Sequence, residues 1–461
     1  MNLDINNIQL SDGQINLELK GKIQKIELIE LIQRIIRTKS ITKNLLFELL
    51  DGDILNNKID DKFDLINPLH WEFGHVISFW INKCYDLIIK NLKLKIILKN
   101  DHLYDSFRTS KEMRFDLLYS LDKVKELNQK YDYCINNLMR YLLEEKSHLL
   151  DSDITYIIML SLLHNEMHNE SFCFSRQLLS LPKPNANNLF NTIDRYLSDP
   201  IKIDFVNISG GSFMQGWNDN ESNFAFDNEK PEHLVKIKSF SMSKHKITQY
   251  QYILFIENNG YTNKEYWTPE GWFWKEKNNI SLPQYWRYNK EKNVYQRKKW
   301  NKWVQVEPNL PIFHISWYEA MAFAKWMNCR LPTESEWEFM STNKGKNKFP
   351  WGDSNPNKSN SNINYYLDGP CDVDIHNGVN KFNIEGLIGN VWEWCMEPIY
   401  PYDGFKIDPI YREMSYPFFG YKRVCRGGSW CVADYLINSK YRNAQTPDCR
   451  IQYIGFRIVK L

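Results

Sequence analysis

Three histidines carry the most specific chemistry in this 461-residue chain. His164 and His168 stand four residues apart in LLHNEMHNE. On a helix that spacing puts both imidazoles on one face, one turn apart, where they can converge on one ion. Such a pair alone is more often a surface or capping feature. A third histidine changes the weighing: His75 lies in PLHWEFGHVISFWIN, inside an apolar helical stretch with Phe73, Val76, Phe79 and Trp80 as neighbours. A buried imidazole needs a partner, and a metal shared with another helix would be one. His70, five residues earlier, reads as a loop residue on a different face. Glu166 points away from the pair, while Glu170 is placed to accept a ring N–H from a ligating histidine. Three neutral imidazoles leave positions open for substrate and water, which suits catalytic zinc and ferrous iron alike.

The elements that must position these residues follow from periodicity. Residues 1–20 are polar and alternating and read as an arm. Helical patterns cover KIQKIELIELIQRIIR from residue 22, then 41–50, 72–92, 119–147 and 152–181, with 93–118 as a long connection. Long helices joined by one crossover make a helical bundle over 21–182, a common place to build a metal site from facing side chains. The prolines and asparagines of LPKPNANN mark a linker over 183–200. The texture then changes. Over 201–461 short strands broken by glycine (FVNISGGSFMQG, HLVKIKSFSMSKHKIT, KRVCRGGSW) alternate with helices at 247–260 and 316–329. A further helix starts in RLPTESEWEFMS, capped by Thr333 with Glu336 completing a capping box. Most of the 16 tryptophans fall in this half, where aromatics replace regular packing or line a pocket.

Composition narrows the classes. A net charge of +2 without a basic stripe gives no footprint for nucleic acid. Nine cysteines, an odd count with no CxxC pair, fit free thiols in a reducing compartment. MNLDINNIQL has no basic segment followed by an apolar one, so no secretory signal is expected. No run of about 18 apolar residues suggests a membrane span. The expectation is a cytoplasmic enzyme without membrane or nucleic-acid partners.

Two sets of motifs carry a family resemblance. WEFGH near residue 75, paired with HNEMHNE near 164, resembles the DinB-type four-helix domain of the ergothioneine-type sulfoxide synthases. GGSF (210–213), FDNEKPEH (226–233), HISWYEAMAFAKWMNCRLPTESEWE (314–338), PWGD (350–353), GNVWEW (389–394), RGGSW (426–430) and GFR (455–457) resemble the formylglycine-generating-enzyme/sulfatase-modifying-factor fold. The resemblance implies an α+β chain: a DinB-like four-helix bundle followed by an irregular, loop-rich, C-type-lectin-like domain. It implies Fe(2+) on His75, His164 and His168, and O2-dependent joining of a thiol to the imidazole of a histidine derivative. It further implies a proton-donating tyrosine, Tyr402 in YPYDGF or its neighbour Tyr400. Arg108 and Arg114 in DSFRTSKEMRFD, and Arg442 and Asn443 in YRNAQTPDCR, become substrate-binding residues. Structural Ca(2+) occurs in this fold type, and whether the loops around GNVWEW hold it is left open by the sequence.

The chain also departs from the family pattern. Ala444 and Gln445 replace a Trp–Asp pair, Cys449 replaces an arginine, and Met167 stands where glutamine is frequent. These changes leave the thiol, or a selenium donor, open. Formylglycine-generating enzymes use a cysteine pair after the GGS segment to hold copper; Cys431 lies there without a second cysteine in VADYLINSKYR. A zinc-dependent thiol transferase and a non-catalytic ligand-binding protein are the competing readings.

Overall fold

The computed structural model describes residues 28–46, 65–85, 102–116, 121–144, 152–184, 190–191, 199–218, 224–376 and 378–461. The N-terminal arm expected over 1–20 lies outside them, as does most of the 183–200 linker.

In the N-terminal half, α1 (Leu28–Leu46) merges the two helices expected at 22–37 and 41–50. No glycine or proline interrupts it, and its buried stripe runs through Leu31, Ile35, Thr38, Thr42 and Leu45. Helix α2 (Leu69–Phe79) starts after Pro68 and ends in a π-helical turn, Trp80–Tyr85. Proline is tolerated at a helix start because its missing N–H would be unpaired there anyway. His70 therefore sits buried in the first turn of α2 rather than in a loop. The long connection holds a 3-10 turn, His102–Tyr104, and a short α3 (Lys111–Asp116). Helices α4 (Leu121–Glu144) and α5 (Ser152–Leu178) complete the helical unit.

Helix α5 is apolar for most of its circumference, as expected of a helix with protein on several sides. Several of its polar residues are hydrogen-bonded inside the molecule. Thr38 and Thr42 of α1 donate to Glu166 (2.5 Å) and Asn169 (2.7 Å). Trp80 Nε1 and the Tyr131 hydroxyl both donate to Asn165 Oδ1. Toward the C-terminal half, Glu166 accepts from the Tyr435 hydroxyl at 2.5 Å, and Glu170 accepts from Trp392 Nε1 (2.8 Å) and Ser429 Oγ (2.5 Å).

The C-terminal half combines two four-stranded sheets, a three-stranded sheet and a two-stranded one. The first has the order β1 (Phe205–Ile208), β4 (Phe240–Ser243), β13 (Val459–Lys460), β8 (Cys329–Arg330). The two-stranded sheet pairs β2 (Gly211–Gln215) with β3 (His233–Ile237). The three-stranded sheet runs β5 (Trp286–Asn289), β6 (Val294–Lys299), β7 (Lys302–Gln305). The second four-stranded sheet has the order β11 (Asn443–Gln445), β10 (Arg423–Arg426), β9 (Trp392–Pro398), β12 (Ile454–Gly455). It faces the helical unit through Trp392. Helices α6 (Gln249–Glu257), α7 (Pro269–Lys277), α8 (Trp317–Trp326) and α9 (Glu334–Ser341) all start at a Thr or Ser cap. The capping box read at Thr333 and Glu336 is present.

Most charged motif residues of this half are buried in ion pairs. On α9, Glu334 and Glu338 face Arg426 of RGGSW, and Glu334 also takes Arg442. Glu393 of GNVWEW holds Arg457 of GFR at 2.8 Å. Gly427 has φ +97, and a Cβ there would lie 2.5 Å from the Leu387 carbonyl, so only glycine lets this turn pack.

Candidate metal centre and substrate chamber

The structure brings His75, His164 and His168 together. Each offers one ring nitrogen, and the three atoms lie within 4.8 Å of one another. Among the described residues this is the only group of three or more His, Cys, Asp or Glu so disposed.

Local packing fixes each ring. His75 Nδ1 donates to the Tyr104 carbonyl at 2.8 Å, which leaves Nε2 with its lone pair. Gly74 permits that approach: a Cβ there would meet the Tyr104 ring at 2.1 Å. His75 stacks on Trp71, and Arg114 covers the far side of the indole at 4.2 Å. His168 Nδ1 donates to Glu72 Oε1 at 2.6 Å, freeing its Nε2 in the same way. His164 stacks on Phe79 with centroids 3.7 Å apart; its Nδ1 is buried without a hydrogen-bond partner. A neutral imidazole locked by Nδ1 to a carbonyl or carboxylate is the usual form of a metal ligand.

The electrostatics agree. Burial, with the charge of His168 as the next cause, pushes the His75 pKa down to about 3. Burial, then His168 and His75, holds His164 well below the ordinary value. Both rings are neutral at pH 7 and free to donate a lone pair. His75 Nε2 and His164 Nε2 are 3.2 Å apart. Two nitrogens at about 2.1 Å from one ion stand roughly 3.0 Å apart at a right angle and 3.4 Å apart in a tetrahedron. The three-imidazole donor set, and the spacing of this pair, therefore fit a divalent transition metal.

His168 opens onto a chamber of about 370 Å³ between the two halves. Glu72, Met167 and Phe174 line it from the helical side; Tyr411, Phe418, Lys422, Tyr441, Arg442, Asn443, Gln445 and Gln452 line it from the other. Tyr411 packs edge-on to His164 at 5.5 Å and to Phe79 at 5.1 Å. Its loop is pinned at several points. Lys83 of the π turn donates to the Ile410 carbonyl at 2.6 Å, and Asp227 accepts from the Asp408 amide and the Ser415 hydroxyl. Burial raises the Tyr411 pKa, so the phenol keeps its proton, and no described residue accepts it.

The other sequence-derived site residues distribute unevenly. Asn443 lines the chamber. Arg442 also reaches its wall, but its head group is turned away: it is bound to Glu334 through Nε (2.7 Å) and Nη2 (2.9 Å), and to the Asn228 and Tyr400 carbonyls. Its charge is already neutralised. Tyr402 lies behind Arg442, whose guanidinium sits 4.0 Å above its ring, and its hydroxyl accepts from Gln215. Tyr400 is 56% exposed. Neither tyrosine lines the chamber. Tyr411 and Tyr441 line it instead, and Tyr411, which no periodicity marks, is the one packed against His164. Arg108 is exposed and pairs with Asp105 and His102. Arg114 acts one layer back: it covers Trp71 and donates to Asn67, which lines the chamber.

The acceptor for a ligand N–H is Glu72, not Glu170, whose carboxylate serves Trp392 and Ser429. A sequence signal existed, since Glu72 is an acid inside the apolar WEFGH turn. Near GNVWEW, Asn390 bonds Cys371 and Asn362, and Glu393 pairs with Arg457 and Lys246. All nine cysteines are free, and no described helix is long and apolar enough to cross a membrane.

Comparison with known proteins supplies a frame for this geometry. Residues 199–461 match the family model described as "Sulfatase-modifying factor enzyme 1-like domain". The chain is 27% identical over 409 residues to the hercynine oxygenase of Mycolicibacterium smegmatis, covering 86% of this chain and 91% of that protein. It is 31% identical over 245 residues to the hercynine oxygenase of Mycolicibacterium thermoresistibile, covering 51% and 54%. The formylglycine-generating enzyme of Thermomonospora curvata is 27% identical over 314 residues, covering 58% of this chain and 96% of that one.

Proposed function

The chain belongs to the sulfatase-modifying factor enzyme 1-like family, and from that premise we propose that it is an O2-dependent, iron(II) sulfoxide synthase of the hercynine oxygenase type. It joins a thiol sulfur to the imidazole ring of a histidine derivative such as hercynine. The helical unit then corresponds to the DinB-like domain of such enzymes. One observation carries the reading: three locked imidazoles, two of them held neutral by burial, meet at a chamber beside an unpaired tyrosine hydroxyl.

The reaction balances without an outside reductant. The S–H and an imidazole C–H are lost, a C–S bond forms, one oxygen atom goes to sulfur and the other leaves as water. All four electrons come from the two organic substrates.

His75, His164 and His168 would hold the iron, which when bound supplies thiol acidification and a path for electrons to oxygen. The chain's residues do the rest. Tyr104 and Glu72 hold two rings in the ligating tautomer. Phe79 and Trp71 keep the rings from rotating. Tyr411 presents an O–H proton next to His164. Phe418, Trp392 and Tyr441 line the chamber, and their faces suit the trimethylammonium of a betaine. Asn443 and Gln445 offer amides to the substrate's polar groups.

The test is aerobic incubation of iron-reconstituted protein with hercynine or histidine and a panel of thiols, read by mass spectrometry together with oxygen uptake. The reading expects a sulfoxide adduct that needs both substrates. A zinc-loaded protein that is active without oxygen would replace it by thiol transfer.

A further inference from the structure

Tyrosines aside, six charged or titratable side chains line the chamber, and four are already engaged: Glu72 with His168, Glu170 with Trp392 and Ser429, and Arg442 with Glu334. Glu413 and Lys422 remain. Neither forms an ion pair with any described residue, including with each other.

Lys422 is built in place rather than loose on the surface. Its carbonyl accepts from the Ile399 amide at 2.8 Å, just past the end of β9. Its ammonium lies 3.5 Å from the centroid of the Phe418 ring, which also lines the chamber. Burial lowers its pKa to about 8, offset only by the thiols of Cys449 and Cys425, which burial itself holds in the neutral form. It is still mostly protonated at pH 7. An ammonium drawn into protein without an anion is costly, and a carboxylate arriving from the chamber would relieve that cost.

We propose that Lys422 is the carboxylate receptor of the substrate chamber. This rests on the reading of the chamber as the substrate site. It answers a question that the engaged Arg442 leaves open, namely which cation receives the acidic group of an amino-acid-derived substrate. Two substrates could bring that group, the histidine derivative or an amino-acid thiol. The chemistry at Lys422 is the same for both. Glu413 leaves an opposite charge on the wall for a zwitterion.

The experiment uses anaerobic, iron(II)-loaded full-length protein and isothermal titration with two matched pairs: hercynine against trimethylated histamine, and cysteine against cysteamine. In at least one pair the carboxylate-bearing member should bind wild type about tenfold or more tighter, the size of one charge-assisted hydrogen bond. Lys422→Met should erase that advantage while leaving the decarboxylated probes within about twofold of wild type. Lys422→Arg should restore most of it. The pair that responds identifies the source of the carboxylate. The proposal is overturned if discrimination survives Lys422→Met, if wild type shows none in either pair, or if Lys422→Met weakens all four probes equally. Mass spectrometry of aerobic product separates the two levels. Product formation with discrimination intact in Lys422→Met removes the receptor and keeps the reaction. Lost discrimination with no product from any pair keeps the receptor and removes the reaction.

Discussion

The two halves of this molecule use their polar residues in opposite ways. In the helical half they sit on regular helices and point at the chemistry: His164 and His168 one turn apart on α5, His75 and Glu72 on α2. In the C-terminal half the charged residues that stand out as motifs are turned inward. Arg426, Arg442 and Arg457 are buried against Glu334, Glu338 and Glu393. That half contributes part of its chamber wall from irregular segments, through Tyr411, Phe418 and Lys422, and part from β9 and β11, through Trp392, Asn443 and Gln445. A motif can therefore mark a scaffold as readily as a site, and only its partners tell which.

The contrast can be broken most sharply at the ligands. His168→Ala should abolish retention of iron and all turnover while the tryptophan fluorescence of the C-terminal half stays native; metal analysis after desalting reads the first, emission spectra the second. Arg426→Leu should do the reverse. It leaves Glu338 buried without its main partner and should cost about 3–5 kcal/mol in urea unfolding. The protein that stays folded should bind iron as wild type does. Arg426→Leu that is fully stable yet metal-free would undo the division of labour.

Tyr411→Phe comes next. Loss of a positioned proton donor should lower kcat by about 100-fold or more with metal content unchanged. Tyr402→Phe should change kcat little, because that hydroxyl meets only Gln215 in the interior. The reverse ranking would return the proton-donor role to Tyr402. Glu72→Gln should weaken iron affinity or activity by about 10- to 100-fold, the usual effect of altering the partner of a ligand histidine.

The smallest effect concerns pH. Glu229 is buried near Arg426 and Glu338, both its oxygens lack hydrogen-bond partners, and burial raises its pKa to about 8 from an ordinary 4.5. Between those values the folded state holds a proton that the unfolded chain has released, so this group makes stability fall as pH rises. Glu229→Gln should flatten the loss of Tm between pH 5 and 8, as differential scanning fluorimetry would record. An unchanged slope would exclude Glu229 as its source.

What the sequence disclosed follows the same division. Periodicity is a property of regular helices, so the spacing of His164 and His168 and the apolar setting of His75 could be read directly. Helices α4 and α5 and the capped start of α9 were legible for the same reason. The orienting carboxylate was harder. Glu170 has the right spacing, but α5 turns it toward Trp392, and Glu72 reaches His168 only because two helices pack. Tyr411 sits at the start of the 3-10 turns over 412–418 and Lys422 in the short connection from them to β10, and no repeat announces either. Arg442 shows the opposite failure. A residue in a recognised motif segment lines the chamber, yet its guanidinium belongs to Glu334.

The central claim is that three imidazoles from two helices hold one iron at the chamber. X-ray absorption at the iron edge of anaerobically reconstituted wild type tests it directly. The account predicts three imidazole nitrogens at about 2.1 Å, the remaining ligands being light oxygen donors, and no sulfur before a thiol is added. Fewer than three imidazoles, or a cysteine sulfur bound in the absence of substrate, would contradict it.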